Sequence, residues 1–337
     1  MLQQRQCSRR ECLLALGASA LVWGCGPGGS ASAVPESSAA PEPSTPPAST
    51  TSATTTTTRV RWPVDALAAM EGEGRLGVAL LDTGSGEVVG HRLDERFGMC
   101  STFKLALAAM VLARVDAGAL RLDGEVQLRE ADLVPHAPVT EARVRAALAR
   151  KAKHATMTIG ELAHAAQTTS DNPAANALLG VLGGPAGFTS FCRDHGDQVT
   201  RLDRLEPWMN VVEGDDPRDT TSPRAMATLI ARLLGKGTGG LSAPSQALLR
   251  GWMIETQTGA RRLRAGLPAA WVAGDKTGTM VGDGMTTRVN DIAWIEPPDR
   301  APLVVATYFD TRFVAQDVRD QDEAVLAAVG RWIAAGV

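Results

Sequence analysis

The chain predicts an α/β plus all-α molecule of two lobes: an antiparallel sheet flanked by helices, and a second lobe made of helices. Three observations lead there. Strand-like runs stand first, at 75–82 and 87–93, joined by the turn residues Thr83, Gly84, Ser85 and Gly86. Strand-like runs return at 271–277, 291–295 and 303–309, ahead of a helical stretch at 320–335. Between them the apolar period is that of helices. The first strands can rejoin the last in one sheet, which leaves the middle of the chain as its own lobe. The sheet lobe is then 59–92 with 253–337, and the helical lobe 93–252. The cleft between such lobes is where a small-molecule site belongs.

The helical block opens with 103–117, apolar on nearly every side, which marks a buried helix. Helical patterns follow over 120–128, 139–149, 158–167, 173–182 and 222–234. Pro173 suits the first turn of its helix. Residues 187–194 are also helix-like, and no internal repeat is visible.

With 337 residues, 44% hydrophobic and 21% charged, the composition is globular, enough for one large or two medium domains. The net charge is −3. Up to position 58, Arg5, Arg9 and Arg10 balance Glu11, Glu36 and Glu42, so the remainder carries the acidic excess. It has no basic stripe, which argues against nucleic acid as a partner.

The N-terminus reads as a signal peptide over 1–25. Arg9 and Arg10 precede an apolar run at 12–23 that is too short to span a bilayer. The run from Ser8 to Leu14 resembles a twin-arginine export signal, with a general export signal as the alternative. Leu21, Val22, Trp23, Gly24 and Cys25 resemble a lipoprotein cleavage box in which Cys25 takes the lipid. The alternative is cleavage after a small residue near Ala31 or Ala33. Ser, Thr, Pro and Ala fill 26–58, a composition that cannot bury enough apolar surface to order itself. The expected product is an exported monomer, periplasmic or tethered to the membrane.

Cys100 and Cys192 remain beyond the leader. Two cysteines of an exported protein can pair. Cys192, however, stands in a helix-like stretch far along the chain from Cys100, so both are expected as buried free thiols.

Four short motifs carry the chemistry: Ser101-Thr102-Phe103-Lys104, Ser170-Asp171-Asn172, Glu206 within Arg201–Asn210, and Lys276-Thr277-Gly278 followed by Thr279. Ser101 and Lys104 stand at i and i+3, so they share a helix face. A serine hydroxyl is a poor nucleophile until a base takes its proton, and a lysine in a dry site can be that base. Lys104 lies in an otherwise apolar helix, where an unpaired charge is costly. Taken alone, each motif has an ordinary explanation. Ser170, Asp171 and Asn172 are good helix caps, and a charged loop is most often solvated surface. Together they supply a nucleophile, two bases, a proton relay and an anion-binding strand.

S-x-x-K, S-D-N and K-T-G are the motif set of class A β-lactamases and penicillin-binding proteins. The run Arg201–Asn210, with Arg218–Pro223 after it, closely resembles the omega loop of class A β-lactamases. The chain therefore resembles the class A serine β-lactamase family over about 60–337. The resemblance implies the serine β-lactamase/penicillin-binding fold, without cofactor or metal. It implies hydrolysis of the β-lactam amide of penicillins and cephalosporins through an acyl-serine, and so antibiotic resistance.

The resemblance also implies roles. Ser101 is the nucleophile, Lys104 a base, and Ser170 the relay to the leaving nitrogen. Glu206 deprotonates the water that attacks the ester, and Asn210 holds that water. Asn172 binds the substrate's side-chain amide. Lys276, Thr277, Thr279 and Arg262 meet its carboxylate, with Arg288 a competing candidate. The N–H groups of Ser101 and Thr279 form the oxyanion hole. Arg204 and Asp219 pair at the neck of the loop, Asp171 is structural, and His136 replaces an aromatic at the cleft entrance. Carbapenem hydrolysis stays open. Relatives with that activity have a cysteine before the nucleophile, bridged to another after K-T-G-T, and here that second place is Met280. Two other readings compete: a penicillin-binding protein, against which Glu206 argues, and a tethered binding module without turnover. A metallo-β-lactamase is excluded, because His91, His136, His154, His164 and His195 form no H-x-H cluster and no zinc-like cysteine spacing is present.

Overall fold

The computed structural model describes residues 62–337 apart from positions 236, 238 and 283. The expected signal peptide, Cys25, the expected 26–58 linker and the expected start of the domain at Arg59 lie outside the described residues.

In chain order the elements are α1 (Asp65–Met70), β1 (Arg75–Asp82), β2 (Val88–His91), β3 (Phe97–Gly98), a 3₁₀ turn at Cys100–Thr102, α2 (Phe103–Asp116) and β4 (Glu125–Leu128). Then come α3 (Thr140–Ala149), β5 (Ala155–Thr158), α4 (Ile159–Thr168), α5 (Asn172–Val181), α6 (Gly184–Asp194) and β6 (Thr220–Thr221). The chain closes with α7 (Pro223–Leu234), α8 (Ala243–Ile254), β7 (Val272–Met280), β8 (Arg288–Glu296), β9 (Leu303–Asp310) and α9 (Asp320–Ala335).

The first strands do rejoin the last. One antiparallel sheet runs β2-β1-β9-β8-β7. Alternate residues of each strand face opposite sides, and the two sides bury different cores. Ile292, Trp294, Val304, Ala306 and Tyr308 join α2, α4, α5 and α7 in one cluster. Leu76, Val78, Leu80, Val289, Ala293, Val305 and Phe309 pack against Leu326, Val329, Trp332 and Ile333 of α9. Each such aliphatic side chain, fully buried, contributes about 1.5–3 kcal/mol.

α2 is buried all round from Phe103 to Leu112, and its last turn reaches the surface. Local signals set several helix starts. Thr158 caps α4 in a reciprocal pair with Glu161, Ser222 caps α7, and Asp171 caps α5 with Pro173 in the first turn.

The expected helix over 120–128 is not formed. A turn is followed by β4, which pairs with β5 from Glu125↔Thr158 to Leu128↔Ala155. Asp123 and Gly124 break a helix there, and exposure then alternates along Glu125, Val126, Gln127 and Leu128, as a half-buried strand requires. α1, α8 and the small β3–β6 pair were not anticipated. The β3–β6 pair sets Phe97 opposite Thr221, so the end of the Glu206 loop is fastened beside the approach to Ser101. Among the described residues no helix is long and apolar enough to cross a membrane.

Candidate active site

Ser101 lies in the 3₁₀ turn that leads into α2, and the turn is tied to the sheet. Asn290 of β8 donates its side-chain N–H to the carbonyls of Gly98 (2.9 Å) and Met99 (3.2 Å). β7 passes so close that a Cβ at Gly278 would stand 2.7 Å from the Met99 carbonyl and 3.2 Å from Cys100 Cβ, which is why glycine stands there. Cys100, Ser170 and Asp219 take φ of +47°, +61° and +58°. Such left-handed backbone is costly for residues other than glycine and clusters at functional sites.

Lys104 extends from the first turn of α2 into a shell of oxygens. Its Nζ lies 2.9 Å from Ser101 Oγ, 2.9 Å from the Ser170 carbonyl, 3.4 Å from Ser170 Oγ and 2.5 Å from Asn172 Oδ1. Glu206 Oε1 is a fifth oxygen, at 2.9 Å. An ammonium has three protons, so five oxygens cannot all accept from it at once, and the hydroxyls are free to donate elsewhere. Ser101 Oγ has that second direction, since Glu206 Oε1 is 3.3 Å away. An amine and a carboxylate, each able to act as a base, therefore face one serine hydroxyl. Burial pushes the Lys104 amine below its ordinary value, and the nearby Glu206 carboxylate opposes the shift.

Lys276 of β7 is also wholly buried and donates to Ser170 Oγ (3.0 Å) and the Thr277 carbonyl (2.8 Å). Burial first, and then the neighbouring charge of Lys104, push its amine well below the ordinary value. Ser170 Oγ thus sits between two lysines whose charged forms are both disfavoured, the arrangement a proton relay needs. Thr277 Oγ1 shares a hydrogen bond with Thr258 Oγ1 at 2.8 Å.

Arg262 is 5% exposed and donates to the carbonyls of Gly278 (3.1 Å) and Asn290 (2.9 Å) and to Thr279 Oγ1 (2.9 Å). Its Nε is 3.1 Å from Glu323. Of the two candidate arginines, then, Arg262 reaches the K-T-G-T strand. Arg288 reaches the Glu206 loop instead. Asp171 accepts from the N–H groups of Val139, Thr140 and Ala174 and from the Thr140 hydroxyl, a purely structural set. Asn172 spends its side-chain N–H on the Pro135 carbonyl (2.8 Å). His136 is exposed at the rim, with its Nε2 3.0 Å from the Thr169 carbonyl.

Glu206 comes from a stretch with almost no regular structure, yet it is 2% exposed. The Glu206–Pro207 peptide is cis. Asn210 Nδ2 donates to Glu206 Oε2 at 2.7 Å. The neck forms as expected: Arg204 Nε pairs with the fully buried Asp219 at 2.5 Å, and Asp219 also accepts from the N–H groups of Asp203 and Arg204.

Asn176 was missed by sequence reasoning. Its side chain accepts from Glu206 N–H (3.0 Å) and donates to the Glu206 carbonyl (2.9 Å). Its one local signal is that it stands one helical turn beyond Asn172 on the same face of α5.

Cys100 and Cys192 are free and buried, and burial pushes the Cys100 thiol up to about 12. Among the described residues no group of three or more His, Cys, Asp or Glu is placed to hold a metal ion.

The family model for the β-lactamase enzyme family matches residues 62–336. The chain is 46% identical over 260 residues to β-lactamase L2 of Stenotrophomonas maltophilia, covering 77% of this chain and 80% of the relative. An ancestral class A β-lactamase structure is 50% identical, with a TM-score of 0.71 over 80% of this chain and 98% of that one. The chain belongs to the class A β-lactamases. β-Lactamase CTX-M-97 of Escherichia coli is 43% identical over 279 residues, 82% of this chain and 89% of the relative. As a class A β-lactamase the protein is a serine hydrolase of β-lactams and acts in antibiotic resistance. Ser101, half-buried at the mouth of the oxygen shell, faces Lys104 and Glu206.

Proposed function

We propose that this β-lactamase opens the amide ring of penicillins and cephalosporins in two steps, through an ester on Ser101. Ser101 Oγ attacks the ring carbonyl, and its proton passes to Lys104 or Glu206, which both lie within reach. The oxyanion is held by the N–H groups of Ser101 and Thr279. The C–N bond breaks, and Ser170 hands the leaving nitrogen a proton drawn from the lysine pair. An ester on Ser101 remains. Glu206 then takes a proton from a water that Asn210 helps to hold. That water attacks the ester carbonyl, and Ser101 leaves with its proton restored.

Lys276, Thr277, Thr279 and Arg262 receive the substrate carboxylate, and Asn172 its side-chain amide. The observation that carries the reading is the placement of Glu206, with Oε1 3.3 Å from Ser101 Oγ and Oε2 2.7 Å from Asn210 Nδ2. Initial rates with a penicillin and a chromogenic cephalosporin test it. Both should be turned over by the parent and neither by Ser101→Ala. Residual hydrolysis in that variant at the parent's rate contradicts it.

We also propose that residues 1–58 direct export, leaving the enzyme either periplasmic or tethered to the membrane. The N-terminal mass of the exported protein decides between lipid on Cys25 and cleavage after Ala31 or Ala33.

A further inference from the structure

The Glu206 loop is fastened at a second place, on the side away from its neck. Arg288 opens β8 and is 7% exposed. Its Nη1 donates to the Asn210 carbonyl at 3.1 Å, and its Nη2 donates to the Val212 carbonyl. The guanidinium is seated by the sheet. Its Nε lies 3.3 Å from Asp310 Oδ1 at the end of β9. Asp310 Oδ2 in turn accepts from Arg75 of β1 at 2.8 Å. Arg75 lies 3.8 Å over the Phe97 ring and donates to the Arg96 carbonyl at 2.8 Å. Gly98 lies beneath, where a Cβ would approach Arg288 Nε to 3.4 Å. One row of side chains thus runs from β1 through β9 and β8 to the loop backbone at 210 and 212.

We infer that Arg288 is a positioning residue for the second chemical step. It grips the backbone of Asn210, whose amide grips Glu206. The inference rests on the proposed roles of Glu206 and Asn210 in ester hydrolysis and on Lys104 as the base that takes the Ser101 proton. Ser101, Lys104, Ser170 and Lys276 are held by α2, by the turn before α5 and by β7. Among the described residues those four side chains share no hydrogen bond with Arg288. Loss of the guanidinium leaves two loop carbonyls without their charged donor, loosens Asn210 and leaves the acylating groups in place. The large cavity of about 670 Å³ beside this row, lined by Arg75, Arg288, Asp216 and Asp310 among others, gives the loop room to move when the row is broken.

The test compares the full-length enzyme with Arg288→Met, Arg288→Lys and Glu206→Ala by steady-state kinetics, intact mass and thermal melting. Arg288→Met should lower kcat about tenfold or more, the effect of losing charge-assisted hydrogen bonds. It should leave kcat/KM, which reports acylation, within about twofold of the parent. Acyl-Ser101 should then appear in the mass spectrum during turnover. Arg288→Lys should recover part of kcat, because an ammonium can reach one carbonyl but lacks the planar fork. An unchanged kcat overturns the inference. So does an equal fall in kcat and kcat/KM with a lowered melting temperature, which is a folding effect alone. Should Arg288→Met fail to fold, Arg288→Lys decides by whether its loss is confined to kcat. Parent-like turnover by Glu206→Ala would instead remove the reading of Glu206 on which the inference rests, a result distinct from the other two.

Discussion

The two halves of the active site are held by different physics. Ser101, Lys104, Ser170 and Lys276 sit on or beside regular elements, and hydrogen-bonded backbone and packed core fix their positions. Glu206 sits on a loop in which the short 3₁₀ turn Trp208–Asn210 is the main regular piece. Side chains hold it: Asn176 on the Glu206 backbone, Arg204 with Asp219 at the neck, and Arg288 at Asn210. A catalytic group carried by a rigid element is costly to displace. One carried by a loop is only as well placed as its side-chain anchors. On the proposed mechanism the division matches the chemistry, with the half on regular elements making the ester and the loop-borne half hydrolysing it.

The comparison breaks most sharply at Lys104. Lys104→Ala removes the amine that contacts Ser101, Ser170, Asn172 and Glu206 together. Acylation should fall about 10²–10⁴-fold, the range for loss of a positioned base. Rapid-quench measurement of acyl-Ser101 formation reads it directly.

A smaller and differently directed effect belongs to Asn176→Ala. The Glu206 N–H and carbonyl each lose a partner, at a cost of about 1–3 kcal/mol in stability. Deacylation should slow more than acylation. Thermal melting and the steady-state fraction of acyl-enzyme check the two parts separately.

The smallest effect lies behind β7 and sharpens the contrast from the sheet side. Asp275 is buried next to Lys276, and burial raises its carboxyl from 3.8 to about 6, against the pull of Arg264. The folded enzyme keeps that proton up to about pH 6, while the unfolded chain releases it near 3.8. The contribution of Asp275 to stability is therefore full below about pH 4 and declines as the pH rises toward 6. Asp275→Asn should flatten the dependence of the melting temperature on pH across that window. An unaltered slope would show that Asp275 is ionised throughout.

Much of this was legible in the chain. β1 and α9 lie where their periodicity puts them, because a six-residue apolar run bounded by charges and a sixteen-residue amphipathic one leave little choice. Contact between Ser101 and Lys104 follows from their i, i+3 spacing. The Arg204–Asp219 neck was available through the resemblance of the loop. β4 was misread because four residues are too few to separate a period of 2 from one of 3.6. Asn176, Asn290 and Arg288 show their roles only in three dimensions. Asn290 meets the nucleophile turn across 192 residues of sequence, and nothing local to either partner announces the contact. In the sequence Arg288 stands only as a competing candidate, beside Arg262, for the substrate carboxylate. Its direction was decided by Asp310 and the loop carbonyls, which are distant in sequence.

The division of labour between the two halves is tested most directly by intact-mass detection during turnover of a chromogenic cephalosporin, with the parent beside Glu206→Ala. The parent should turn over continuously without a trapped adduct, while the variant accumulates one acyl group on Ser101. Parent-like turnover in the variant, or a single stoichiometric burst in both proteins, would contradict the assignment of ester hydrolysis to the Glu206 loop.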